Sequence, residues 1–152
     1  MPVQPQSDDG DRARPGAHLI KAGYDLVGNG CIGEARRLAA AFLTQVRDEH
    51  GLDVSSRAIE LTQLVVSELV TNARKYAPGP VLMELRITDA IVEVVVCDSD
   101  PTLPTAGAAD PGRIGRHGLE IVKAVALDLV IERQLVGKRI TAGIALADTG
   151  QR

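Results

Sequence analysis

Residues 64–76 read Leu64-Val65-Val66-Ser67-Glu68-Leu69-Val70-Thr71-Asn72-Ala73-Arg74-Lys75-Tyr76, and this stretch decides the architecture. Leu61, Val65, Glu68 and Asn72 follow one another at spacings of four, three and four, so they share one helical face. The stripe begins apolar and ends in a carboxylate and an amide. A solvated helix end is the plain alternative, but a polar pair in line with a core stripe points to a partly buried site. Lys75 lies one turn beyond Asn72. A carboxylate, an amide oxygen and an ammonium on adjoining turns can meet water, a hard cation and a phosphate respectively.

Working outward, Ser55 or Ser56 offers an N-cap for this helix, and Pro78 and Gly79 break it after Ala77. Upstream, Ile32, Ala35, Leu38, Ala39, Phe42, Leu43 and Val46 recur at helical spacing, which predicts an amphipathic helix from Cys31 to His50 that Gly51 stops. Residues 19–27 carry a faint strand pattern, at most an edge strand. Downstream, Val81–Thr88 alternates and residues 91–97 are rich in β-branched side chains, a hairpin turning at Asp89-Ala90. Residues 98–117 have no period, and a long loop inside a compact domain is more often functional than idle. A short helix is expected over 118–127, with Leu119, Val122, Val125 and Ala126 inward. Two closing strands over 129–135 and 140–146 turn at Gly137-Lys138. This order predicts an α+β fold with helices on one face of a mixed sheet. Residues 1–17 hold three prolines, two glycines and five charges and read as a disordered tail, which leaves 18–148 as the domain.

The 152 residues suit a single domain, and 45% apolar residues supply its core. Aromatics are confined to Tyr24, Phe42 and Tyr76, so stacking platforms for single-stranded nucleic acid are lacking. A net charge of −3 argues against nonspecific DNA binding. Cys31 and Cys97 have neither a CxxC partner nor metal-ligand spacing and read as buried thiols of a reduced, cytoplasmic protein. No uncharged apolar run approaches the ~18 residues of a membrane span. A secreted, membrane-spanning or disulfide-built protein is therefore not expected.

Two further segments carry chemistry. Asp98 closes a β-branched strand, where a carboxylate can accept hydrogen bonds from a ligand amine or simply cap a turn. Gly112-Arg113-Ile114-Gly115-Arg116-His117-Gly118-Leu119 leads into a helix, and its glycines let backbone amides approach a phosphate. It is not a Walker A loop, since no Gly-Lys-Ser/Thr closes it, and not a dinucleotide fingerprint, since no strand precedes it.

Together and in this order the three segments resemble the gyrase/histidine-kinase/MutL ATPase superfamily, the Bergerat fold. Glu68 to Tyr76 resembles its N box, Asp98-Ser99-Asp100-Pro101 its first glycine box, and Gly115-Arg116-His117-Gly118-Leu119 its second. The likeness covers roughly residues 30–146 and is strongest, through Leu64 to Ala73, to the small stand-alone anti-sigma-factor serine kinases and their actinobacterial relatives. It implies a two-layer α/β sandwich, ATP and Mg²⁺ as cofactors and a long loop that forms an ATP lid. Glu68 would be the general base and Asn72 the Mg²⁺ ligand. Lys75 would approach the phosphates, and Asp98 would accept from the adenine amino group. The segment of Gly115, Arg116, His117, Gly118 and Leu119 would hold the phosphates at the start of the last helix. The implied partners are a sigma factor and an anti-sigma-factor antagonist, with homodimerisation possible. Asp100 and Thr102 replace the two glycines of the first box, His117 adds a residue to the second, and Arg139 stands where a threonine is usual. Two functions follow: a protein serine kinase acting on the antagonist, or a non-catalytic, sigma-sequestering module with weak or lost nucleotide binding. A third and plainer reading leaves Glu68 and Asn72 as helix-surface residues.

Overall fold

The computed structural model describes residues 20–28, 30–76, 79–98 and 112–147, with backbone alone at 76 and 112–117. The expected tail at 1–17 and the stretch 99–111 lie outside the described residues. Chain order is β1 (Ile20–Leu26), α1 (Cys31–His50), α2 (Ser56–Tyr76), β2 (Val81–Thr88), β3 (Ile91–Asp98), α3 (Gly112–Val125), β4 (Asp128–Arg133) and β5 (Lys138–Ala145).

The strands form one five-stranded sheet in the order β1-β2-β3-β5-β4. All four pairings are antiparallel, which corrects the mixed sheet expected from the sequence. The reason is topological. β3 and β4 do run parallel, joined through α3, but β5 inserts between them and pairs antiparallel with both. β1 is an edge strand, as its faint pattern suggests.

The core lies between the sheet and the helices. Val81, Met83, Leu85 and Ile87 of β2 are buried in it, as alternation predicts, with Val92, Val94 and Val96 of β3. Ala35, Ala39, Leu43 and Val46 of α1 close over them, and α2 packs against both α1 and α3. On the opposite face Arg86 and Glu93, partners in the β2–β3 register, form an ion pair at 2.7 Å. Such cross-strand pairs contribute about 0.2–1 kcal/mol.

α1 ends where Gly51 adopts φ 68°, a left-handed position open to glycine at little cost. Of the two serines before α2, Ser55 is the cap: its Oγ accepts from the Ala58 amide at 2.9 Å. The Ser55 amide in turn donates to the Leu146 carbonyl at 2.8 Å, tying the helix start to the end of β5.

α3 begins at Gly112, six residues before the expected start at Gly118. Glycine spacing hides a helix because glycine carries the lowest propensity after proline. Packing of Leu119 and Val122 into the core supplies what local preference lacks. Ser55→Ala is expected to destabilise the fold by about 1 kcal/mol in urea unfolding, with an unchanged m-value.

Candidate functional site

The face of α2 that carries Val65 and Leu69 into the core carries Asn72 with them, 2% exposed. Burial of an amide is costly unless its oxygen and nitrogen are hydrogen-bonded. Asn72 Oδ1 and Nδ2 are both buried and have no hydrogen-bond partner among the described residues. Glu68, one turn earlier, is half-buried, and Lys75, in the last turn, is exposed. The helix-surface reading of Asn72 is thus excluded, and the polar end of the stripe is an interior feature.

Gly118 explains itself against this helix. A Cβ at residue 118 would stand 2.7 Å from Glu68 Oε1, inside van der Waals contact. Glycine there leaves room for the Glu68 carboxylate where it stands, although glycine inside a helix costs about 1 kcal/mol relative to alanine. The sequence marks Gly118 as a phosphate-loop glycine. In the structure Gly118 lies in the second turn of α3 and Gly115 in the first. Leu119 is buried in the core. The side chains of Arg116 and His117 lie outside those described.

Asp98 is the last residue of β3 and is buried. Its Oδ2 accepts from Lys138 Nζ at 2.7 Å, the two side chains being 2% and 1% exposed. The strand register explains the meeting: Asp98 pairs with Lys138, on the same sheet face as Val96 and Ile140 of the core. Arg139, the position the family comparison singles out, pairs with Cys97 instead and so lies on the opposite face. Lys138 is the residue sequence reasoning missed. It sits in a turn pattern, Gly137-Lys138, and only the register, which no local signal encodes, sets it against Asp98.

Both cysteines are free thiols. Burial pushes the Cys97 thiol up; the Arg139 guanidinium works against this and the Asp98 carboxylate adds to it. A thiol so placed ionises less readily than a free one. Among the described residues no three His, Cys, Asp or Glu side chains gather into a metal cluster. A hard cation here would draw on the Asn72 amide oxygen and on oxygens of its own ligand, the usual manner of Mg²⁺.

No protein-family model and no curated protein matches the chain. Among the solved structures that the chain is similar to are two histidine kinases. One is the histidine kinase domain of the blue-light-activated histidine kinase from Erythrobacter litoralis EL346. It is 17% identical, with 74% of this chain and 61% of that chain covered and a TM-score of 0.46. The other is the Acinetobacter baumannii histidine kinase AdeS, 13% identical, with coverages of 84% and 68% and a TM-score of 0.48. The chain thus spans less than two thirds of the first.

Gly118→Ala separates the two demands on that position. The far end of a flexible side chain is the obstacle, so the Glu68 carboxylate should move while α3 stays. The gain in helix propensity should hold the stability change within about 1 kcal/mol. Thermal unfolding and a crystal structure of the variant check this; a large loss of stability would mean that the helices part instead.

Proposed function

We propose that the chain is an ATP-binding regulatory protein of the gyrase/histidine-kinase/MutL type, and more narrowly an anti-sigma factor that phosphorylates a serine of its anti-sigma-factor antagonist. The observation that carries this reading is the buried amide of Asn72, without a hydrogen-bond partner among the described residues and in line with Glu68 on α2. An interior amide with neither atom paired among the described residues fits a bound polar group, and Mg²⁺ on its oxygen is the occupant the resemblance implies.

ATP with Mg²⁺ would supply the phosphoryl group. The chain's own residues would do the rest. Asn72 Oδ1 would hold the cation. The exposed ammonium of Lys75 would meet the phosphates, with the Gly115 amide and the Arg116 and His117 side chains beside it. Asp98 would accept from the adenine amino group. The Glu68 carboxylate would take the proton of the serine hydroxyl as its oxygen bonds to phosphorus, and ADP would leave. Positioning and charge compensation carry most of such a reaction, with general base assistance worth about 10²–10⁴-fold. The sigma factor would be the second protein partner.

Thermal unfolding with ATP and Mg²⁺, against GTP and no nucleotide, tests the binding step. Stabilisation of about 2.7 kcal/mol is expected at a hundredfold excess over Kd. No shift at millimolar ATP would leave the sigma-sequestering module without nucleotide as the reading. Glu68→Ala tests the chemistry: ATP binding should persist while phosphate transfer to the antagonist falls by at least about 10²-fold.

A further inference from the structure

The sheet has two edges, β1 and β4, and among the described residues nothing pairs with the outer side of either. An edge strand offers a row of unpaired N–H and C=O groups to any strand of matching pattern. β1 reads Ile20-Lys21-Ala22-Gly23-Tyr24-Asp25-Leu26. Ile20, Ala22 and Tyr24 pack against the core, so Lys21, Gly23 and Asp25, all exposed, lie on the face away from the helices. The strand is nearly palindromic about Gly23. Apolar residues mirror apolar residues, and a cation mirrors an anion.

The ladder within the chain does not account for the three outward residues. Lys21 stands opposite Arg86, a like charge, and Asp25 stands opposite Leu82. Neither forms an ion pair among the described residues. At Gly23 φ is not positive, and a Cβ would meet its nearest neighbour, the Met83 carbonyl oxygen, only at 4.0 Å. The position has room for a side chain, yet glycine stands there. Glycine weakens a strand interior and often marks the close approach of another backbone.

We propose that β1 is the interface of a symmetric homodimer, its copies paired antiparallel about a two-fold axis at Gly23. An axis normal to the sheet keeps both helix layers on one side and makes the sheet continuous across the dimer. Lys21 of each copy then faces Asp25 of the other, and Gly23 faces Gly23. On the helix side Tyr24 faces Ala22, large against small. That contact lies beside a groove of about 350 Å³, which Ile20, Ala22 and Tyr24 line with Phe42, Val46 and His50 of α1. β4 offers no such match. Centred on Val130 it sets Asp128 against Glu132, and centred on Ile131 it sets Leu129 against Arg133. A lone lysine would merely block an edge. Lys21 matched by Asp25 admits a second copy in this one register. A seven-residue strand with one groove beside it makes a small interface, so the dimer should be reversible.

Sedimentation velocity of the full chain without nucleotide, from micromolar to near-millimolar concentration, measures the dimer Kd. Wild type should pass from monomer to dimer across that range. Lys21→Asp and Asp25→Lys each turn two attractive cross-strand pairs into repulsive ones and should raise Kd about tenfold or more. Both positions are exposed, so circular dichroism should show each variant folded. An equimolar mixture of the two variants then tests the register. Every reversed charge on one copy meets an opposite charge on the other, so a heterodimer should form about as tightly as the wild-type dimer. A wild type that stays monomeric throughout overturns the inference and leaves the edge to a different partner. Single variants that dimerise like wild type overturn it too, as does a mixture that shows no rescue, because either result places the contact elsewhere.

Discussion

Burial of α2 along the sheet is the constraint on which the rest of this structure depends. The helix lies between α1 and α3, and its inward face cannot be turned without exposing Val65 and Leu69. The same rotation that buries those side chains drives Asn72 into the interior. The buried amide is thus held in place by the apolar residues that precede it. A polar site built this way is rigid, because moving the amide means unpacking the core.

The approach of α3 follows from the same helix. Glu68 points its carboxylate into the space that a Cβ at residue 118 would occupy, so the two helices meet through a glycine. The cost in helix propensity is accepted where close approach is needed, and Leu119 and Val122 anchor the helix on the core just beyond it. At the far end of the layer the sheet register performs the matching task for charges. It places Lys138 opposite Asp98, and each offsets the burial of the other.

Much of the fold was legible because its signals are periodic. The bounds of the Cys31–His50 helix and the Val81–Thr88 strand fall where spacing and breakers put them, and one face of that strand is buried as alternation requires. The site was legible in part. Glu68 and Asn72 could be paired on one face from spacing alone, since i and i+4 are neighbours on any helix. The start of α3 was not legible, because its glycines argue for a loop and its stability comes from packing. Neither was the sense of the sheet, because antiparallel insertion of β5 between β3 and β4 leaves no mark on either strand's pattern.

The sequence by itself determined which residues form helices and strands, which faces are apolar, and that a carboxylate and an amide end the stripe of α2. These are local properties, set by spacings within a single element. The tertiary structure alone decided that Asn72 is buried with neither amide atom paired among the described residues, that Gly118 makes room for Glu68, and that Lys138, and not Arg139, meets Asp98. Each of these joins elements distant in the chain. Helix-to-helix distance and strand register are fixed by the packing of the whole core, which no single segment encodes.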